Sequence, residues 1–223
     1  METNRKQHAT TRSYAGLAPE ERVARRRQQF IEAGKRLFGT IGYRKTTVRL
    51  LCREAGLTDR YFYESFESIE RLLVAVYGGL IDDLERSILM ALASANEGDS
   101  LEQRIRQALD ALYRNAQDPL LSRVIWIEIL GVSPGADAIY NVTLRRFADL
   151  MFNLAKSMLP DWPVPESVVR TACMGLIGAV SETAKDWLHA GYSQPRETLV
   201  EGIMLMFSGL VMMSRGVDAQ LPS

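Results

Sequence analysis

Apolar residues recur along this chain at three- and four-residue spacing almost from end to end, the pattern of amphipathic helices. Phe30, Ala33, Leu37 and Phe38 form one stripe and predict a helix from about Glu21 to Gly39. Val48, Leu51, Cys52 and Ala55 form a shorter one that stops at Gly56, the residue type best able to take a left-handed, helix-closing conformation. Leu57 then fills a corner, Thr58 is placed to cap the next helix, and Phe62 and Phe66 are that helix's inward positions. Asp59, Arg60, Tyr61, Tyr63 and Glu64 are left outside. Beyond Phe66 the period lengthens: Ile69, Leu72, Leu73, Val76, Leu80, Leu84 and Ile88 describe one long helix to about Ser94.

The remainder repeats the pattern with clear punctuation. Ser100 with Gln103 makes a capping box for a helix to about Asn115. Asp118-Pro119 starts another, to about Gly131, and Ser133-Pro134 opens a third, Ala136 to Leu159. Pro160, Pro163 and Pro165 mark a loop, followed by helices at about Glu166 to Ala190 and Pro195 to Ser214. No segment alternates as a strand would. The fold expected is all-α with about nine helices: a flexible tail over 1–20, a three-helix domain over 21–66 and a larger helical domain over 67–223.

Charge sharpens this division. The net charge is zero, yet residues 1–66 carry 14 Lys and Arg against seven Asp and Glu, and residues 67–223 carry 13 against 20. A basic head on an acidic body suits a polyanionic partner for the head alone. Four arginines, Arg22, Arg25, Arg26 and Arg27, sit where the first helix begins, an end at which cations are mildly unfavourable, which hints at phosphate. Arg5, Lys6 and Arg12 belong to the tail and read as a disordered segment or a basic arm. The two cysteines, Cys52 and Cys173, each fall in an apolar helical pattern and read as core residues of a reducing compartment. The longest apolar run, Gly202 to Met213, is too short for a membrane span, and no signal peptide is apparent. A soluble, cytoplasmic protein without a membrane partner is expected.

Two short helices joined at a glycine corner, with polar residues on the outer face of the second, are what reading a major groove requires. The stretch resembles the tetracycline-repressor (TetR) family of transcriptional regulators in Gly42-Tyr43, Thr46-Thr47-Val48, Ala55-Gly56-Leu57-Thr58, Phe62-Tyr63 with Phe66, and Glu70 with Leu72-Leu73. Residue chemistry selects Lys45, Thr47, Arg49, Thr58, Asp59, Arg60, Tyr61 and Tyr63 as DNA-binding candidates, Arg44 adding to them. Thr47 and Thr58 lie at helix starts that suit phosphate. Arg60 can grip a guanine through two parallel bonds, and Tyr61 can pack on a thymine methyl or bond a phosphate. Tyr63 matches a tyrosine that the resembling proteins use on phosphate. One departure stands out: Ile69 occupies the position where the family usually carries a phosphate-contacting lysine, just before Glu70.

The resemblance also implies a homodimer whose last two helices pair with their mates as a four-helix bundle. Those helices are apolar on more than one face, as such an arrangement needs. Ala172, Gly175, Leu176, Ala179 and Thr183 form a small-residue stripe, and Leu199, Ile203, Met206, Phe207 and Leu210 a bulky one. A dimer would read two half-sites of palindromic double-stranded DNA. A small apolar or amphipathic effector in the body is implied likewise, with Tyr113, Trp126, Glu128, Phe147, Met151 and Phe152 as pocket candidates. Glu128 pairs with Arg123 or Arg145 if it meets no ligand. His8 and His189 form no metal-ligand spacing, and neither a phosphate-binding glycine loop nor a nucleophile motif occurs. No metal, cofactor or enzymatic activity is expected. The function read is therefore a homodimeric repressor released by a small lipophilic ligand. Two other readings stay open: a DNA-binding regulator without an effector, and a helical enzyme carrying a helix-turn-helix head.

Overall fold

The computed structural model describes residues 18–159 and 164–216, with side chains described as far as 209. The basic arm (Arg5, Lys6, Arg12), Pro160, Pro163 and the side chain of Leu210 lie outside the described residues. Among those described, nine α-helices and no strand occur: α1 (Pro19–Thr40), α2 (Val48–Ala55), α3 (Asp59–Ser65), α4 (Ile69–Ala93), α5 (Leu101–Ala116), α6 (Pro119–Arg123), α7 (Pro134–Met158), α8 (Glu166–His189) and α9 (Arg196–Gly216). The first helix starts at Pro19, so residues 18–20 of the expected tail belong to its first turn instead.

Helices α1, α2 and α3 close around an aromatic centre. Phe30, Phe38, Leu51 and Phe62 have no solvent exposure, and Phe30 meets Phe62 edge-on at 5.4 Å. Each such side chain contributes about 1.5–3 kcal/mol of burial, enough together to hold a head of three short helices. Leu72 and Leu73, at the start of α4, complete the same core, so the long helix is rooted in the head. At 25 residues α4 extends about 37 Å, which carries it through the body between α5 and α7.

The caps follow the expected chemistry with one reversal. Ser100 and Gln103 form their reciprocal box, Asp118 accepts the Leu120 and Leu121 N–H groups, and Ser133 accepts that of Ala136. At the helix pair, Thr47 is the capping hydroxyl, accepting the Leu50 N–H at 3.2 Å, whereas the Thr58 side chain makes no cap bond.

Helix α6 is shorter than its pattern suggests. After Arg123 the backbone widens into a π-helical turn, Val124–Glu128, and the chain turns away at Gly131. Gly39 lets α1 meet α6 here: a Cβ on it would stand 2.8 Å from the Leu120 backbone. Head and body therefore touch at two places, along α4 and at this junction.

The last two helices require a correction. Leu176, Leu199, Ile203 and Phe207, expected at an interface between chains, are at most 8% exposed and form part of the protomer's own core. Thr183 also points inward, its hydroxyl 2.6 Å from that of Tyr113. Because α9 is apolar on two faces, periodicity could not say which face meets α5. What α8 and α9 leave open is the complementary surface: Gly175, Leu205 and Met206 are exposed, and Ala172, Gly178 and Ala179 half-buried. Among the described residues no helix is long and apolar enough to cross a membrane.

Candidate nucleic-acid interface and effector cavity

The corner between α2 and α3 is built from backbone bonds. Gly56 takes φ +67°, and the Leu57 N–H reaches back to the Cys52 carbonyl at 2.9 Å. This pins α3 across α2 with its two aromatic anchors buried, Phe62 wholly and Phe66 nearly so. The remaining face of α3 has no choice but to point away.

Of the eight residues singled out, Lys45, Thr47, Arg49, Thr58, Asp59, Arg60 and Tyr63 are exposed, and Tyr61 is half-buried. Arg60 is 84% exposed and bonds Glu64 at 2.9 Å along the helix. Such a surface pair is worth about 0–1 kcal/mol, so the guanidinium is easily recruited by a stronger acceptor. Tyr63 stands 62% exposed. Burial, and to a lesser degree the Asp59 carboxylate, pushes the Cys52 thiol up to about 11.

The arginines of α1 divide by role. Arg26 lies over the Tyr61 ring at 4.4 Å and 3.7 Å from Glu64, while Arg27 covers Phe66 at 4.1 Å and donates to the Ser65 carbonyl at 2.9 Å. These two brace α3, a packing role that their position as a charge run did not disclose. Tyr61 is accordingly half-covered by Arg26, with the rest of its ring exposed. Ile69 is half-buried against the head core, and the nearby Arg71 is exposed and 3.7 Å from Glu67.

The head is fastened to the body by a carboxylate. Glu128, at the end of the π turn and 11% exposed at its side chain, accepts the Tyr43 N–H at 2.6 Å and the Arg123 Nε at 2.8 Å. Arg123 in turn donates to the Thr40 carbonyl at 2.9 Å. Both grips hold backbone groups of the head. Gly42, at φ +89°, is required beside them, since a Cβ there would approach Glu128 Oε1 to 2.9 Å. A second tie runs from the Ser133 hydroxyl to Glu70 at 2.6 Å, joining the base of α4 to the cap of α7.

Within the body two chambers lie end to end along α4. The outer is a cavity of about 60 Å³ walled by Ile88, Leu92, Ile105, Leu109, Phe147, Met151 and Leu154 among others. The inner, of about 30 Å³, lies against Tyr77, Ile81, Leu84, Ile125, Trp126, Tyr140 and Thr143. Leu112, Phe147, Ile177 and Val180 line both. Of the six pocket candidates, Trp126, Phe147 and Met151 line these chambers. The other three are placed elsewhere: Glu128 at the junction, Tyr113 against Thr183 and Trp187, and Phe152 in the α7–α8 seam beneath Arg170. The π turn touches both worlds, since Ile125 and Trp126 line the inner chamber while Glu128, with Arg123 just before the turn, grips the head.

Comparison with known proteins agrees with this anatomy. Residues 30–76 match the model described as "Bacterial regulatory proteins, tetR family". The chain is 24% identical over 187 residues to the HTH-type transcriptional activator FasR of Mycolicibacterium smegmatis, covering 83% of each. The fold is shared with the fatty acid degradation regulator FadR of Bacillus halodurans at a TM-score of 0.71 and 18% identity, over 88% of this chain and 98% of that one. FadR of Bacillus subtilis, solved in complex with stearoyl-CoA, superposes at 0.67 and 20% identity, over 82% and 98%. A helix pair with its polar tip outward, matched by a family model across that same segment, identifies residues 30–76 as a DNA-binding head of the tetR type, the head of a transcriptional regulator.

Proposed function

We propose that the protein is a homodimeric, effector-controlled regulator that grips palindromic DNA with two α3 tips and releases it when a long apolar chain fills the body. The observation that carries this reading is the presentation of α3: anchored by Phe62 and Phe66, braced by Arg26 and Arg27, with Arg60, Thr58 and Tyr63 outward. Thr47, Arg49, Lys45 and the exposed edge of Tyr61 would hold phosphate and fix the register, and Arg60 would read a base edge. Ile69 cannot supply a phosphate contact, so positioning falls to Lys45, Arg49 and Arg22.

Dimerisation is supported by the open faces of α8 and α9. Cβ atoms added at Gly175, Gly178 or Gly202 would meet nothing within 4 Å in the protomer, so a second chain can approach the backbones closely there. Exposed Met206 and Leu205 flank them.

The effector class follows from cavity shape. From Tyr77 to Leu92 the chambers track α4 for about 22 Å, a span suited to an unbranched chain and unsuited to a compact ring system. The Bacillus subtilis relative with stearoyl-CoA supports the same class. A chain that enters the inner chamber presses on Ile125 and Trp126, and the π turn that carries them also carries Glu128, which grips the head. Such a ligand shifts the heads only by its differential affinity for the two arrangements.

The test titrates palmitoyl-CoA against the protein bound to a duplex recovered from random DNA. Saturating ligand should weaken DNA binding about tenfold or more, within the 5–150-fold range of ordinary couplings. Glu128→Ala should bind the ligand as before and lose most of that response. Unchanged coupling in the variant would remove the junction from the pathway. Ligand with no effect on either protein would leave a regulator without this effector. The relative's description as an activator favours a second reading of outcome, in which the bound dimer recruits transcription instead of blocking it.

A further inference from the structure

The two chambers differ in chemistry. The outer one is walled by apolar side chains throughout, whereas the inner one gathers four hydroxyls, those of Tyr77, Tyr140, Thr143 and Ser181. Tyr77 is 1% exposed, and its hydroxyl is buried with no hydrogen-bond partner among the described residues. Burial pushes its pKa up to about 12, and the Thr143 hydroxyl, its nearest polar neighbour but beyond ordinary hydrogen-bond length, acts against the rise. Thr143 gives its own proton to the Ile139 carbonyl at 3.1 Å. Ser181 is also buried. A buried phenol whose nearest acceptor, the Thr143 oxygen, lies beyond hydrogen-bond length is poorly satisfied, so it favours an acceptor that arrives closer from elsewhere.

No Lys, Arg or His lines the inner chamber. A carboxylate placed there would be desolvated without a counter-charge, a far larger cost than that of a neutral oxygen. The acceptor is therefore uncharged.

We propose that the inner chamber is a specificity site for a neutral oxygen, a hydroxyl or keto group, carried at the buried end of the chain-like effector, and that Tyr77 donates its O–H to it. This rests on the effector reading above and narrows it: the preferred ligand is an oxygenated chain, and a plain hydrocarbon tail is the poorer fit. Trp126 and Tyr140 form the surrounding wall, so the oxygen is sensed beside the π turn that holds the head.

The experiment compares palmitoyl-CoA with ω-hydroxypalmitoyl-CoA by calorimetric titration of wild type and Tyr77→Phe, and records the melting temperature of both ligand-free proteins. Wild type should bind the hydroxylated chain about five- to tenfold more tightly, the worth of one neutral hydrogen bond. Tyr77→Phe should erase that preference, bind the plain chain at least as well, and melt no lower than wild type. Equal binding of the two chains by wild type, or a preference that survives in Tyr77→Phe, overturns the oxygen site while leaving the effector reading intact. A lower melting temperature for the variant also overturns it, because the hydroxyl would then be satisfied inside the ligand-free protein. Binding of neither chain overturns the effector reading and this inference together.

Discussion

Met206→Glu should turn the protein into a folded monomer that holds its operator 10²- to 10⁴-fold more weakly, the loss expected when a second binding head is no longer tethered to the first. The site is chosen by exposure. Met206 is 50% exposed in the protomer, while its neighbours Ile203 and Phe207 on the same helix are buried and would unfold it if charged. In a two-fold assembly the substitution enters twice and strips each carboxylate of water without a partner, costing several kcal/mol per ion. Light scattering on a gel-filtration column reads the mass, circular dichroism confirms the fold, and fluorescence anisotropy reads the DNA. A dimer that persists at unchanged concentration would move the interface away from the open faces of α8 and α9.

Arg60→Ala should have the second large effect, on sequence preference more than on overall attraction. A bidentate arginine–guanine pair contributes about 1–3 kcal/mol of discrimination. Both heads carry it, so about 2–6 kcal/mol is at stake in the dimer. Against this, the Glu64 pair that holds Arg60 in the unbound head is an exposed one and too weak to keep the guanidinium from a base. Competition between the preferred duplex and random duplex should collapse by about 30-fold or more in the variant. Binding to random DNA should stay within about threefold, because phosphate attraction resides in the other cations. Equal losses on both duplexes would make Arg60 a phosphate ligand.

Much of this was legible before any coordinates. The α2–α3 corner is a local matter: Gly56, Leu57 and the Phe62/Phe66 spacing act within a dozen residues, and the Leu57–Cys52 backbone bond at 2.9 Å shows the same geometry that the spacing predicts. The caps at Ser100, Asp118 and Ser133 are local too. What the sequence concealed is tertiary. Arg26 and Arg27 looked like phosphate ligands in a charge run, and only the approach of α1 to α3 shows them stacked on Tyr61 and Phe66. Glu128 sat conspicuously among apolar residues, and its use became clear only when the Tyr43 N–H, 85 positions earlier, arrived beside it. Thr47 and Thr58 have equal capping chemistry, and backbone geometry alone assigned the cap to Thr47. The two apolar faces of α9 could not be told apart by period, so Leu199, Ile203 and Phe207, which the protomer buries, were grouped with the exposed Met206. The π turn leaves no mark in a helical pattern, since it differs from an α-helical turn by bond register alone.

The most direct test of the central claim, that α3 tips of a symmetric dimer read duplex DNA, is selection of bound sequences from a random duplex pool. The account predicts enrichment of a two-fold palindrome with half-sites centred about 34–36 Å apart or a multiple of that. Recovery of all sequences alike, or of a motif without two-fold symmetry, would contradict it.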